Sequence, residues 1–431
     1  MERIDSIYEK KCDFRDIFVQ RRSIARVFFT LSKIKHKETG AVAGVGFRSV
    51  KGDFTDMQSG DFTGDTEEFL RKKGIPLECR KPRVNFGFEN FLLFLKELDS
   101  SLREKGGGRV KNIDISFAVT DSAEGVYDWE KVLMKESYRQ RFTVSIMVED
   151  GVGREISREH VLATKPSAAE FMSACREKSF ETLSLALNLL EAPHAPVGEM
   201  PVLIRSTAGG TLIHEAIGHS LEADAVRLGI SPVYAGRLNE KVASSDVTVI
   251  DDASAQDKNG SYEYDDEGVR SERVILIEKG ILKNYLLDKK EAGFLKTASN
   301  GHGRRSSYKE KPIPRMGITY LAGGKSDYEK MLKKMKKGLM VSKMGGGQVN
   351  PANGDFVFEV REGYLVEGGK VGPLVKGATL AGNGPKILKD IKYIGRTVGW
   401  DDGFCGKDGQ TVPVSDGMPD TLIPAVVVGG R

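Results

Sequence analysis

Residues 209–221 read GGTLIHEAIGHSL and predict a buried helix that carries two histidines. The apolar positions that mark the helix as buried are Leu212, Ile213, Ala216, Ile217 and Leu221. A core helix with two hydrogen-bonded histidines is the structural alternative. The glutamate between the histidines disfavours that alternative, because a buried carboxylate without a partner costs free energy. The stretch therefore predicts a functional helix.

The spacing of the two histidines predicts that this helix is irregular. His214 and His219 are five residues apart, whereas the zinc-binding HExxH motif places its histidines four apart. On an ideal α-helix the second imidazole would point about 140° away from the first. A π-turn of about 4.4 residues would realign them, and Gly218 lowers the steric obstacle to that distortion. We expect the irregularity over residues 216–219.

A catalytic zinc with two histidines lacks one of its usual three protein ligands. Cys405 is the only cysteine after residue 200, and it lies in the glycine-rich segment GFCGKDGQ, residues 403–410. Glycines on both sides allow the backbone to wrap closely around a ligand, and thiolate is a strong zinc ligand. From spacing alone, a free cysteine in a loop remains the alternative.

Glycine usage divides the 431-residue chain near residue 200. Residues 1–200 hold 15 of the 49 glycines, and the rest of the chain holds 34. A proline-containing linker, APHAP, occupies residues 192–196. We predict an α+β protein whose first domain, residues 1–192, is a mixed α/β scaffold with long helices packed on a sheet. The alternative is that this domain consists of two subdomains with a break near 106–109. A glycine-rich, β-rich domain that carries the irregular metal-binding helix follows over residues 197–431.

Three further helices are predicted from periodicity and capping patterns. Apolar residues at helical spacing mark Glu89 to Lys105. Ser167 with Glu170, and Ser326 with Glu329, form the pattern of a capping box, which begins a helix. Strands in both halves are predicted to be short.

Composition excludes several classes of protein. The formal net charge of +4 argues against a nucleic-acid or anionic-membrane protein. No apolar stretch approaches the ~20 residues that span a bilayer, and the first residues, MERIDSIYEKK, lack a secretory apolar segment. We expect a cytoplasmic protein whose four dispersed cysteines, at positions 12, 79, 175 and 405, are reduced.

Several motifs of residues 201–431 together resemble the TldD/PmbA family of metallopeptidases. The helix segment 210–224 resembles the family's signature helix, and further matches follow in order along the chain. They are GSY at 260–262, DDEG at 265–268, GRR at 303–305, PRM at 314–316, GGGQV at 345–349, KGATL at 376–380, GNGP at 382–385 and CGKDGQ at 405–410. The first half of the chain resembles the family only loosely.

The resemblance implies a zinc-dependent peptidase of the TldD type, the active member of a pair. Its zinc ligands would be His214, His219 and Cys405, with one zinc per active subunit. Glu215 would be the catalytic general base that acts on a metal-activated water. The family acts on small or unfolded peptides, which are reached through an enclosed cavity between subunits. The resemblance therefore also implies a homodimer, or a heterodimer with an inactive TldE/PmbA-like paralogue. The alternative is a non-catalytic regulatory subunit, because relatives have been described as modulators of DNA gyrase.

Four more residues are candidates for substrate binding: Tyr264, His302, Arg304 and Arg305. They lie in polar segments bordered by glycines. An arginine can clamp a peptide carboxylate through two parallel hydrogen bonds. Surface or inter-subunit salt bridges are the alternative for the two arginines. A fourth-ligand role for His302 is disfavoured, because it would close the site that hydrolysis needs open.

Overall fold

The computed structural model describes residues 11–62, 64–72, 88–127, 131–164 and 167–430. Cys79 and the first ten residues lie outside the described residues. The chain forms two compact units. The N-terminal unit comprises the described residues up to Glu191 together with Asp266–Gly268 and Arg305–Pro312, and the C-terminal unit comprises the remainder. Two short segments of the glycine-rich half thus belong to the first unit, a departure from a single boundary near residue 192.

The N-terminal unit is built on a six-stranded antiparallel sheet in the order β3-β2-β1-β4-β5-β6. Its strands are β1 (Phe14–Thr30), β2 (Lys33–Lys51), β3 (Phe54–Asp61), β4 (Val110–Tyr127), β5 (Val132–Glu149) and β6 (Arg154–Ala163). Its helices are α1 (Gly64–Lys72), α2 (Phe88–Gly106) and α3 (Ala168–Glu191). A short 3-10 turn, Gly107–Arg109, links α2 to β4 inside this unit, at the position of the alternative break.

The two long helices pack on the sheet, as predicted. Leu95 and Leu98 of α2 and Leu183 of α3 share one buried cluster with the inward-facing residues of β4 and β5. The capping box at the start of α3 is confirmed, because Glu170 accepts a hydrogen bond from the backbone N–H of Ser167 at 3.1 Å and its own N–H donates to Ser167 Oγ at 3.2 Å. Cys175 is buried in the same cluster.

The C-terminal unit is mainly strands. They are β7 (Gly198–Ile204), β8 (Val249–Asp252), β9 (Arg273–Glu278), β10 (Ile281–Leu282), β11 (Gly303–Arg304), β12 (Ile313–Pro314), β13 (Ile318–Leu321), β14 (Lys337–Asn350), β15 (Asp355–Glu367), β16 (Lys370–Val375), β17 (Thr379–Asn383), β18 (Tyr393–Lys407) and β19 (Gln410–Gly429). Five of them, β7, β14, β15, β17 and β19, pair in a closed ring. The 13 to 20 residues of β14, β15, β18 and β19 exceed the predicted short strands.

Short helices complete the C-terminal unit: α4 (Ala223–Arg227), α5 (Lys289–Phe294), α6 (Tyr328–Met335) and α7 (Gly384–Asp390). The predicted capping box at Ser326 is wrong. Asp327 is the residue that precedes α6, and no side chain caps the helix there. The α+β fold class is confirmed by this mixture of elements.

None of the helices in the described ranges combines the length and the hydrophobicity of a membrane-spanning segment.

Candidate metal centre

The helix with the two histidines is irregular, as its spacing predicts. Residues Thr211–Ile213 are α-helical, His214–Gly218 form a π-turn, and His219–Leu221 form a 3-10 turn. A π-turn holds about 4.4 residues instead of the 3.6 of an α-helical turn. It therefore accommodates the extra residue between the two histidines. The rings of His214 and His219 consequently lie together, with centroids 5.2 Å apart and planes nearly perpendicular at 88°.

Gly218 is needed in this helix for a reason other than the predicted one. Its φ of −56° and ψ of −52° are ordinary right-handed helical values, so any residue adopts them. A β-carbon at this position would instead overlap Met316 Sδ. Close packing, and not backbone freedom, is the constraint that favours glycine here.

The irregular helix, residues 211–221, lies in the main core of the C-terminal unit. Its residues Ile213 and Ile217 share a buried cluster with Val341 of β14 and Phe358 of β15, two strands of the closed ring. At its start, the backbone N–H of Gly210 donates to Asp416 Oδ1 on β19 at 2.7 Å. This packing fixes the two histidines relative to β19.

Asp416 has an unusual environment at the start of the helix. Burial raises the pKa of Asp416 to about 7. The neighbouring charge of His214 acts in the opposite direction, whereas those of Asp401 and Glu215 raise this pKa further. A carboxyl group that titrates near neutrality therefore lies close to the histidine motif.

Cys405 reaches the two histidines from a different element. It lies near the end of β18, which forms a hairpin with β19, and its partner across the hairpin is Val412. Cys405 Sγ is 3.3 Å from His219 Nε2. One ligand atom each from His214, His219 and Cys405 lies within 4.8 Å of the others. The structure thus brings together the three residues that the sequence singled out as metal ligands.

The ionisation of the three residues is strongly coupled. Burial alone would raise the pKa of the Cys405 thiol, but hydrogen bonds and charge from His214 and His219 lower it to about 5. Burial would lower the pKa of His219, but the charge of Glu222 and the interaction with Cys405 raise it well above its ordinary value. The arrangement therefore favours a thiolate at neutral pH, the form in which cysteine binds metals.

The residues present fit a zinc ion. Two imidazoles and a thiolate are preferred zinc ligands, and ligand atoms around a tetrahedral zinc lie roughly 3.5 Å apart. Cys405 Sγ and His219 Nε2 are 3.3 Å apart, and all three ligand atoms lie within 4.8 Å of one another. His214 Nδ1 is a buried nitrogen with no hydrogen-bond partner. Three protein ligands would leave one position of a tetrahedral ion for water or substrate.

Glu215 follows the first histidine directly. It lies on the π-turn and is half-buried, whereas His214 and Ala216 on either side are buried. The carboxylate is therefore next to a proposed ligand without being enclosed in the apolar core.

Two residues behind His219 were missed by the sequence analysis. Glu222 Oε2 lies 3.0 Å from His219 Nδ1, and Lys407 Nζ lies 3.1 Å from the same oxygen. A signal was available for both, since Glu222 follows His219 by three residues and Lys407 follows Cys405 by two.

Two of the four substrate-binding candidates, His302 and Arg304, are buried in the C-terminal unit. His302 is fully buried, with Nε2 3.1 Å from Asp251 Oδ1 and Nδ1 2.9 Å from the backbone oxygen of Asn300. Arg304 donates to the backbone oxygens of Met316 and Pro413. The polar groups of both side chains thus bond to other residues of the protein. A role of His302 and Arg304 in substrate binding stays a prediction.

The other two candidates, Arg305 and Tyr264, differ in their surroundings. Arg305 belongs to the N-terminal unit, where its guanidinium lies 3.2 Å from Asp16 Oδ1 and donates to the backbone oxygen of Asp266. This buried ion pair corresponds to neither a surface nor an inter-subunit salt bridge. Tyr264 is half-buried and forms an isolated β-bridge with Arg270. Their substrate role is likewise untested by the structure.

Comparisons with known proteins place the motif-bearing half in one family. Residues 197–430 match the family model of the PmbA/TldA metallopeptidase C-terminal domain. A "Metalloprotease TldD homolog" from Buchnera aphidicola is 41% identical over 252 residues, which are 58% of this chain and 52% of the relative. The chain thus spans about half the length of that relative. A "Metalloprotease" from Archaeoglobus fulgidus is 34% identical over 377 residues, 85% of this chain and 84% of the relative.

Solved structures share the fold over the whole chain. The crystal structure of TldE from Thermococcus kodakarensis superposes with a TM-score of 0.74 at 17% identity and covers 100% of this chain and 98% of that one. A protein from Thermotoga maritima, described as a candidate modulator of a DNA gyrase, gives a TM-score of 0.74 at 19% identity and covers 99% of both chains. At these identities the likeness shows the fold alone.

Proposed function

We propose, because the chain belongs to the PmbA/TldD family of metallopeptidases, that it is a zinc-dependent peptidase. Its substrates would be small or unfolded peptides, its zinc ligands His214, His219 and Cys405, and its general base Glu215. The names of its relatives support metalloprotease activity, and one of them, from Saccharolobus solfataricus, is a "Zinc metalloprotease TldD homolog".

The observation that carries the proposal is the convergence of three ligand-type side chains from distant parts of the sequence. Cys405 is 186 residues from His219, yet the two lie 3.3 Å apart. Zinc sites of catalytic type use three such protein ligands and keep a fourth position for the reaction. A cysteine that served only for packing would not need two histidines directed at its sulfur.

The chain's own residues supply binding and proton transfer. When bound, zinc would supply Lewis acidity to a water molecule and to the scissile carbonyl. Glu215, beside the ligand His214 and half-buried, would accept a proton from the attacking water and deliver it to the leaving amine. Cys405 would already be a thiolate before a metal binds, because the two histidines lower the pKa of its thiol to about 5.

The partner we propose is either a second copy of this chain or a TldE-like paralogue. A solved structure with the same fold is named TldE, and the family resemblance implies such a pair. Co-purification from the native source, with the mass of the complex measured by light scattering, distinguishes a homodimer from a heterodimer.

Peptide hydrolysis with and without metal tests the proposal. The purified chain is incubated with a mixture of short and unfolded peptides, and new amino termini are counted. Removal of metal with a chelator should abolish cleavage, and addition of zinc should restore it. A metal-free preparation that cleaves peptides at the original rate would contradict the proposal. The test is run with and without the native partner, since an active subunit can require it.

A regulatory subunit is the second candidate function. A protein of the same fold is described as a candidate modulator of a DNA gyrase, and that description is the reason for testing a regulatory role. It predicts no cleavage in any combination, whereas the proposed enzyme needs its metal. The same chelator experiment therefore separates the two functions.

A further inference from the structure

We propose that Glu222 is the positioning residue of the metal site: it orients His219 and couples that ligand to the strand of Cys405 through Lys407 and Arg315. This inference rests on the proposed zinc site and concerns residues that touch a ligand without being ligands themselves.

The orientation of His219 follows from its two ring nitrogens. Nε2 lies 3.3 Å from Cys405 Sγ, so it faces the ligand cluster. Nδ1 lies 3.0 Å from Glu222 Oε2. An imidazole that binds a metal is neutral and carries one proton, and a carboxylate can only accept a hydrogen bond. Nδ1 therefore carries the proton, and the lone pair of Nε2 is left for a metal. This is the carboxylate–histidine arrangement that raises the basicity of a ligand in known zinc sites.

Two cations lie beside Glu222: Lys407 is within hydrogen-bond distance, and Arg315 is at the outer limit of an ion pair. Lys407 Nζ lies 3.1 Å from Glu222 Oε2 and 2.7 Å from Asp224 Oδ1. Arg315 is fully buried, its Nε lies 3.9 Å from Glu222 Oε1, and its Nη2 donates to the backbone oxygen of Cys405 at 2.7 Å. A glutamate that is only 1% exposed requires such compensation.

The local backbone explains how these residues meet. Glu222 follows the 3-10 turn with an extended conformation, φ −73° and ψ 122°, so the chain leaves the helix at this residue. Cys405 and Lys407 are two residues apart on β18, so their side chains share one face of the strand. One face of β18 thus carries the proposed ligand Cys405 and also Lys407. Lys407 neutralises Glu222, the carboxylate that contacts the ligand His219.

The two histidines are not equivalent in this respect. Among the described residues, a carboxylate is hydrogen-bonded to the ring of His219 and none to the ring of His214. The supporting carboxylate is therefore specific to His219. Loss of the Glu222 carboxylate should weaken metal binding without removing a ligand.

The test compares Glu222→Gln with Glu291→Gln. Glu291 is also a buried glutamate of the C-terminal unit with a cationic partner, Arg227 at 2.7 Å, but it is not among the three ligands or their contacts described here. Zinc dissociation constants are measured on the folded full chain by competition with a chromophoric chelator. The absorption spectrum of the cobalt-substituted protein reports ligand geometry. We expect zinc binding to weaken roughly 10- to 100-fold in Glu222→Gln, with an altered cobalt spectrum, and to stay at the wild-type value in Glu291→Gln.

The outcomes separate this inference from the proposed function. Wild-type protein that fails to bind zinc overturns both. Wild-type protein that binds zinc while Glu222→Gln binds it equally well overturns the inference alone. A lower melting temperature with unchanged zinc affinity shows a purely structural role and also overturns it. If Glu222→Gln does not fold, Glu222→Asp keeps the charge for Lys407 but withdraws the oxygen from His219, and the same loss of affinity is required.

Discussion

Met316 Sδ occupies the space that a β-carbon at Gly218 would need. Gly218 is the last residue of the π-turn and directly precedes His219. A side chain at position 218 must therefore displace either Met316 or the π-turn that fixes the position of His219.

Gly218→Ala should destabilise the C-terminal unit by about 1–3 kcal/mol, the usual cost of overpacking a core, and should also weaken zinc binding. Gly293→Ala is the matched control, because Gly293 is also helical but has open space around its Cα. The control should leave stability unchanged or raise it by up to about 1 kcal/mol. Urea unfolding and a zinc titration check both. Equal effects of the two substitutions would contradict the packing argument.

The irregular helix was predictable because its cause is local. The five-residue spacing of His214 and His219 conflicts with an ideal α-helix, and the conflict is visible without any tertiary information. The support from Glu222 was not predicted, since it depends on where Lys407 and Arg315 arrive from distant segments. The identity of Cys405 as the third residue came from its ligand chemistry and from the family resemblance, not from any pattern of local spacing.

Glu215→Gln should abolish peptide cleavage while zinc binding is retained. Loss of a general base costs a factor of about 10² to 10⁴ in rate, and an amide of the same shape preserves the helix around it. Glu199→Gln, an exposed position of the same unit, is the control. Cleavage rates and zinc content are measured on the same preparations. Full activity in Glu215→Gln would show that another group accepts the proton.

Cys405→Ser should lose zinc and activity together. A serine hydroxyl is a much weaker zinc ligand than the thiolate, and it would not be ionised by the two histidines. Cys12→Ser is a suitable control, because Cys12 is a half-buried cysteine of the N-terminal unit. Elemental analysis gives the zinc content per chain. A Cys405→Ser variant that keeps stoichiometric zinc at wild-type affinity would remove Cys405 from the ligand set.

The substrate candidates and the strand lengths show where the sequence misled. His302 and Arg304 lie in polar, glycine-bordered segments typical of exposed loops, yet both are buried against backbone oxygens and Asp251. A buried polar side chain with partners has the same local sequence signature as an exposed one. Glycines weaken the strand pattern in a sequence, yet residues 345–347 lie within β14, next to an irregularity in its pairing with β15.

Acid should destabilise the N-terminal unit through Glu124. Burial would raise the pKa of Glu124, but Lys135 and Arg22, with hydrogen bonds from Gln20 and Ser122, lower it to about 2. The folded-state pKa is thus below the unfolded value, so the stabilisation is present above about pH 4.5 and is lost as the pH falls towards 2. Its size is on the order of 3 kcal/mol.

The measurement for Glu124 is the pH dependence of urea unfolding. Between about pH 5 and pH 2, the unfolding free energy of the wild type should fall more steeply than that of Glu124→Gln. Glu136→Gln, an exposed position on β5, should follow the wild type. Parallel curves for wild type and Glu124→Gln would exclude this carboxylate as a source of acid sensitivity.

The N-terminal unit also depends on a residue far along the chain. Arg48 of β2 lies 2.7 Å from Glu267 and also pairs with Asp16, and all three side chains are buried. The predicted boundary at residue 192 separates Glu267 from its partners, because capping, periodicity and glycine content carry no information about such long-range pairing.

Glu267→Gln should therefore destabilise the N-terminal unit by about 3–5 kcal/mol, since removing one member of a buried ion pair leaves the other charge uncompensated. Glu263→Gln, an exposed neighbour in sequence, should have little effect. A fragment that ends at Glu191 lacks Glu267 and Arg305 and should show no cooperative unfolding transition. Urea unfolding followed by circular dichroism checks all three proteins. A fragment that unfolds cooperatively with the stability of the intact unit would mean that the segments Asp266–Gly268 and Arg305–Pro312 are dispensable for this fold.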